Sequence, residues 1–299
     1  MKHSQLAIFT NSPRSINVLE TVLKNNTATS IKVYLLLSNS LFNEKIKKKF
    51  SKKVEFIIFD SFVDKNFRSS YFANNFDFLI IPGFPKLIPN DVINHPKYGS
   101  INLHAGKLPK YRGGSPLNWQ IINGETEIGI SCIIPNSKFD QGNILAKGKF
   151  FLKPKETIKD AHLKANKIFP NLVRISMNKL LLGSKGKKQA SRGAGYFKQR
   201  KDQDGKINLN NSINTILNLI RAITTPYPGA FLFYNRKKIR VYQARKVSTN
   251  KIKKNILEKE IGKIVSIKRN NPIIICKNAL LEIRSHNFKN KFILNSFFK

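Results

Sequence analysis

The 299 residues carry 54 Lys and Arg against 17 Asp and Glu, a formal net charge of +37, with 41% hydrophobic and 24% charged residues. That hydrophobic share suffices for a sizeable core and excludes a chain disordered throughout, and 16 Gly and 13 Pro exclude collagen-like and low-complexity classes. No run approaches 18 uncharged apolar residues, so no bilayer span is predicted, and the apolar strand after Met1–Gln5 is too short for a signal-peptide core.

Two cysteines, Cys132 and Cys276, cannot form a metal-binding quartet, so no metal is expected. They read as small buried residues of a reduced, cytoplasmic protein. The charge has two readings. One is a polyanionic partner, nucleic acid or an anionic membrane surface. The other is codon usage: 42 Lys stand against 12 Arg, beside 33 Asn, and both Lys and Asn have A-rich codons. A surface evolved to grip phosphate leans harder on the Arg fork.

In chain order, Leu6–Thr10 reads as a buried strand, and Pro13 suits the first turn of the helix carrying Ile16, Leu19, Val22 and Leu23. Strands follow at Ile31–Leu37, Val54–Phe59 and Phe76–Pro82, with helices at Leu41–Phe50 and Phe62–Asn75 between them. This alternation predicts a parallel sheet covered on both faces, with right-handed crossovers. Ser100–His104 is a short strand with a polar tip, and Leu108–Pro116, with two prolines and two adjacent glycines, is an ordered loop. Leu117–Asn123 reads as a helix, Gly129–Ile134 and Ile144–Phe151 as strands around a turn, and Thr157–Leu182 as a long helix that Pro170 should kink or split. The stretch Gly183–Gly195 reads as a linker. Beyond it come a helix, Ser212–Ile223, and five short strands, Ala230–Tyr234, Ile239–Ala244, Gly262–Lys268, Pro272–Cys276 and Leu280–Ile283, the pattern of a small antiparallel barrel. The expected division is 1–190 and 196–299.

Asn102 and His104 stand two apart on one strand, so their side chains share a face. Asp140 lies at a turn before Gly142. An amide, an imidazole and a carboxylate are suitable for acyl transfer, supplying an oxyanion donor, a proton carrier and a group that holds its tautomer. Each also has an ordinary structural reading, and spacing alone does not bring 104 and 140 together.

The run Ile101-Asn102-Leu103-His104-Ala105-Gly106-Lys107-Leu108-Pro109, followed by Tyr111-Arg112-Gly113 and Pro116, resembles the signature of folate-dependent formyltransferases. Asn123–Ile130, Asp140–Ile144, Ile220-Arg221-Ala222 and Pro226–Phe231 continue the likeness, which is dense over residues 77–150 and 196–245. The resemblance implies a Rossmann-like α/β catalytic domain followed by a small OB-like β-barrel. It also implies formyl transfer from 10-formyltetrahydrofolate to an amine, with Asn102, His104 and Asp140 catalytic. On the same ground the folate cleft is lined by Ile81, Pro82, Gly83 and Phe84 and by Leu108 and Pro109. Gly106 and Gly113 allow close backbone approach to ligands, or serve loop geometry alone. Tyr111 and Arg112 either meet substrate or hold the loop shut.

No GxGxxG is present, which argues against a nicotinamide cofactor. The branch that formylates methionyl-tRNA usually carries a long basic loop after the second strand, where this chain has Ser38–Ile46. The family's Ile-Asp-Trp motif appears as Ile207-Asn208-Leu209. That change weakens the usual aromatic anchor of the motif. The missing basic loop, and the wording Leu103–Pro109 with Ser115–Trp119 after it, favour the other branch, whose acceptor is the amino group of a nucleotide-linked amino sugar used in surface polysaccharide. The net charge, and nine basic residues without an acid in Arg236–Asn255, favour initiator tRNA. A formyltetrahydrofolate hydrolase and a catalytically silent binding module of the same fold are the remaining alternatives.

Overall fold

The computed structural model describes residues 4–24, 28–248 and 259–299. The elements are β1 (Ser4–Phe9), α1 (Arg14–Lys24), β2 (Ala28–Leu36), α2 (Ser40–Phe50), β3 (Glu55–Phe59), α3 (Lys65–Phe72), β4 (Phe78–Ile81), α4 (Asn90–Asn94) and β5 (Gly99–His104). Then come β6 (Arg112–Gly113), α5 (Pro116–Ile122), β7 (Glu127–Ile133), β8 (Ile144–Phe151), α6 (Ile158–Leu181), β9 (Tyr196–Phe197) and α7 (Ile213–Ile223). The last strands are β10 (Ala230–Tyr234), β11 (Lys237–Val247), β12 (Ile264–Lys268), β13 (Asn271–Cys276) and β14 (Ala279–His286). Two compact units form, each from three segments: 1–113, 129–150 and 163–196 in one, and 114–128, 151–162 and 197–299 in the other.

The first unit holds a seven-stranded sheet in the order β3-β2-β1-β4-β5-β7-β8. β1 through β5 are parallel, as the alternation predicted, and β7 joins β5 antiparallel. Side-chain alternation sorts the apolar runs onto two faces. Phe9, Tyr34, Leu36, Phe59, Leu79 and Ile81 pack with Phe67, Tyr71, Phe76 and Val92 in an aromatic-rich core. Leu6, Ile8, Val33, Leu35, Phe78 and Ile80, of opposite parity, are equally buried. α1 contributes Val18, Leu19 and Val22, and α6 lays Ile168 and Leu172 against Gly148 of β8.

α6 is not split at Pro170: one helix runs through it. Proline removes one helical donor and crowds the preceding turn. Phe169, Leu172 and Val173, all buried, offset that cost by their packing. Among the described residues no helix is long and apolar enough to cross a membrane.

The second unit carries an antiparallel sheet in the order β10-β11-β14-β13-β12. The C-terminal residues tie its edges together, Phe298 bridging to Tyr234 at the end of β10 and Phe297 to Lys263 just before β12. The ring of strands is thereby closed, as the barrel pattern predicted. Two hairpins turn on two-residue loops with both residues at positive φ, Asn235-Arg236 and Arg269-Asn270, matching the right-handed twist of the strands. In the basic window, Lys238 and Arg240 pair with Asp202, and Arg245 with Glu282. Residues 249–255 of that window lie outside the described residues.

Candidate active site

Strands β1 to β3 progress to one side of the sheet and β4 and β5 to the other, so the strand order reverses between β1 and β4. Ligands of open α/β sheets bind beyond the carboxyl ends of the strands at such a switch point. The candidate residues gather there. Ile81, the last residue of β4, is the cross-strand partner of Asn102 on β5, and His104 ends that strand. On the other side His104 faces Ser131 of β7.

Asp140 reaches the strand end from the loop between β7 and β8. Its Oδ1 lies 3.1 Å from His104 Nδ1, and Asn102 Nδ2 donates to the same oxygen at 3.5 Å. Its Oδ2 accepts from the Gly113 amide at 2.9 Å. The structure therefore brings together Asn102, His104 and Asp140, which the sequence placed 38 positions apart at the extremes. The pair is shielded from water, with side-chain exposures of 6% for His104 and 11% for Asp140. His104 Nε2 is 2.5 Å from the Tyr111 carbonyl. Both ring nitrogens thus face acceptors, and only the doubly protonated ring donates to both.

Burial would raise the pKa of the Asp140 carboxyl, but the neighbouring His104 charge and hydrogen bond, the Gly113 amide and nearby Arg112 together hold it below its ordinary value of 3.8. A carboxyl depressed on folding stabilises the fold when ionised. That contribution is complete above 3.8 and is lost as pH falls through the lower folded value. The melting-temperature gap between the wild type and Asp140→Asn is expected to be widest near neutral pH and to shrink below pH 3.8, which a pH series of melting curves would check.

Gly106 lies where the backbone turns under the imidazole. A Cβ there would collide with His104 Nε2 and the Tyr111 carbonyl, and its own carbonyl accepts from Ser131 Oγ at 3.0 Å. Gly106→Ala is expected to push the ring off its acceptors and to cost about 1–3 kcal/mol through overpacking. Turnover and a melting curve for that variant would read both effects. Gly113 has φ +90°, so a side chain would strain the amide that serves Asp140.

The remaining expected residues divide between lining and support. Ile81 and Pro82 are buried, and Gly83 has φ +90° with its carbonyl accepting from the Asn11 amide at 3.0 Å. Phe84 packs its ring against Phe9, Phe59 and Phe62. Leu108 is buried with Ile133 and Ile144, and the Leu108–Pro109 peptide is cis. Tyr111 is fully buried, and its carbonyl is the group that meets His104. Arg112 Nε donates to Gln189 at 3.0 Å.

Sequence reasoning missed Gln189, Ser131 and Arg14. Arg14 NH1 donates to the Leu103 carbonyl at 3.1 Å and its guanidinium lies over the Phe169 ring. An Arg at the first turn of a helix, where an acid is the usual complement to the dipole, was the available signal. Among the described residues no three His, Cys, Asp or Glu side chains gather as a metal site.

Residues 6–172 match the family described as formyl transferase, and residues 200–298 match formyl transferase, C-terminal domain. The bifunctional polymyxin resistance protein ArnA of Wigglesworthia glossinidia brevipalpis is 36% identical over 71% of this chain and 31% of its own length. A methionyl-tRNA formyltransferase of Thermodesulfovibrio yellowstonii is 32% identical over 74% of this chain and 68% of its own length. The chain thus spans about a third of the first relative and about two thirds of the second. Among solved structures, an N-formyltransferase from Helicobacter canadensis in complex with folinic acid and dTDP-3-aminofucose superposes with a TM-score of 0.63. It is 18% identical and covers 94% of this chain and 99% of that one, a likeness of fold. This chain belongs to the formyl transferase family.

Proposed function

We propose that the protein transfers a formyl group from 10-formyltetrahydrofolate to a primary amine, and that Asn102, His104 and Asp140 carry the reaction. The observation behind this reading is the buried His104–Asp140 pair with Asn102 at the same carboxylate oxygen, at the switch point of a formyl transferase fold. The neutral amine nitrogen attacks the formyl carbon, the carbon becomes tetrahedral, and its oxygen takes negative charge. The bond to the folate nitrogen then breaks, the amine gives up a proton, and tetrahydrofolate leaves protonated.

The Asn102 amide and the imidazolium of His104 stabilise the developing oxyanion. The ring is held between two acceptors, the Asp140 carboxylate and the Tyr111 carbonyl. Either role, donor to the oxyanion or base for the amine, requires Nε2 to leave the Tyr111 carbonyl first, since Nδ1 is held by Asp140. Asp140 fixes the orientation of the ring. The folate is held along Ile81–Phe84 and the Leu108–Pro109 turn, with Gly106, Tyr111, Arg112 and Gly113 shaping the acceptor side.

For the acceptor, we favour the amino group of a nucleotide-linked amino sugar. The connection from β2 to α2 is short, since β2 ends at Leu36 and α2 begins at Ser40, and leaves no room for a long basic loop. A second reading, initiator methionyl-tRNA, rests on the methionyl-tRNA formyltransferase relative and on the net charge of +37. A transfer assay offering methionyl-tRNA and a panel of nucleotide 3-amino and 4-amino sugars separates them. Sugar turnover is expected, with weak dependence on salt. Transfer to methionyl-tRNA alone, weakening steeply with salt as phosphate counterions are released, would contradict it.

A further inference from the structure

The stretch after α6 has the composition of a linker, yet part of it is bonded to the loop that presents Asp140. Lys187 exchanges both backbone hydrogen bonds with Ile144, at 2.8 and 2.9 Å. Asn143 Nδ2 donates to the Lys185 carbonyl at 2.8 Å. Gly186 has φ +69°, and a Cβ there would stand 3.1 Å from the Cβ of Asn143. These contacts fix the register of the segment 185–189 on residues 143–144 and bring Gln189 under the Asp140 turn.

Gln189 is buried, at 9% exposure. Its Nε2 donates to the Asp140 carbonyl at 2.8 Å and to the Gly142 carbonyl at 2.7 Å. Its Oε1 accepts from Arg112 Nε at 3.0 Å. One carboxamide therefore joins the turn that carries Asp140 to the loop whose Gly113 amide binds the Asp140 carboxylate. The turn needs such support. Asp140 has φ +55°, a left-handed conformation that costs a non-glycine residue energy to hold. Beyond it, Gly142 packs so closely on the Ile134 carbonyl that no side chain fits.

We propose that Gln189 is a positioning residue of this active site: it clamps the Asp140 turn and Arg112 together, so that the carboxylate meets His104. The inference rests on the catalytic reading of Asp140 given above. A glutamine that merely satisfied buried carbonyls would affect stability, whereas a clamp acts through Asp140. The two differ in their coupling to Asp140.

The test is kinetic. Gln189→Met keeps the length and volume and removes all three hydrogen bonds. Gln189→Glu keeps the acceptor for Arg112 and sets an oxygen against the two carbonyls. Both variants are expected to lose about 10–100-fold in kcat, the scale of a small misplacement of a catalytic group. KM for 10-formyltetrahydrofolate should change by less than about threefold, because the folate wall is elsewhere. In an Asp140→Asn background, Gln189→Met should cost less than about twofold more.

Wild-type turnover in both Gln189 variants, or an equal loss with and without Asp140, would overturn the clamp. Melting curves run alongside separate misfolding from misplacement, and Gln189→Glu with native melting and a lost kcat supports the clamp even where Gln189→Met melts early. Asp140→Asn alone isolates the underlying reading. Should it keep more than about a tenth of activity, the catalytic role of Asp140 falls and the clamp with it. Should it be inactive while Gln189 variants are not, the clamp alone falls.

Discussion

His104→Ala is expected to lower kcat by about 10²–10⁴ while the protein still folds, because it removes the ring on which both the oxyanion contact and any proton transfer depend. His104 is buried, and both its nitrogens are engaged, by the Asp140 carboxylate and the Tyr111 carbonyl. Truncation leaves those acceptors without their donor and opens a small void beneath Gly106, so some stability is lost too. His104→Gln, which fills more of the space, serves as the second variant. Turnover and melting temperature measured together decide between a chemical and a structural histidine. A folded His104→Ala that keeps more than about a tenth of wild-type turnover contradicts the assignment, and a loss that tracks unfolding supports a structural role at a strand end.

Asp140→Asn should be nearly as damaging, by about 10²–10³ in kcat. The amide keeps the shape and can still accept from the Gly113 amide. It cannot balance a positive imidazole, and its NH₂ can turn towards Nδ1, where it competes with the donor the ring needs. In the proposed mechanism the two residues act on one transition state, so the double variant His104→Ala with Asp140→Asn should be little worse than the worse single one. Additive losses would mean that Asp140 acts elsewhere, for example on the loop through Gly113. Steady-state kinetics on the four proteins of the cycle read this directly.

Much of the first unit was legible because burial on both faces of a parallel sheet leaves continuous apolar runs. Ile31–Leu37 and Val54–Phe59 each fell within two or three residues of β2 and β3 at both ends. The closing of the barrel was less legible. Phe297 and Phe298 join its edges through isolated bridges, with no period to betray them. Pro170 does not split α6, since the helix propensity of proline is a local quantity and the burial of Phe169, Leu172 and Val173 around it offsets the cost.

Of the site, Asn102 and His104 could be placed on one face from strand periodicity alone. Their meeting with Asp140 could not, because the loop between β7 and β8 has no pattern from which to compute its path; resemblance supplied the link. The residues 185–189 read as a linker for a related reason. Their bonds to 140–144 are made by main chain and by one glutamine, and neither leaves a hydrophobic signature. Leu108 had an apolar character that suits a ligand wall and a core equally, and its side chain packs on Ile133 and Ile144.

The most direct test of formyl transfer to an amine is the release of tetrahydrofolate by the wild-type protein from 10-formyltetrahydrofolate labelled in the formyl carbon, with and without an amine acceptor. Release is expected in the presence of an acceptor and not in its absence, with the label recovered as an N-formyl amide on the acceptor. Release at the same rate with no amine, and with the label appearing as free formate, would contradict it and identify water as the acceptor.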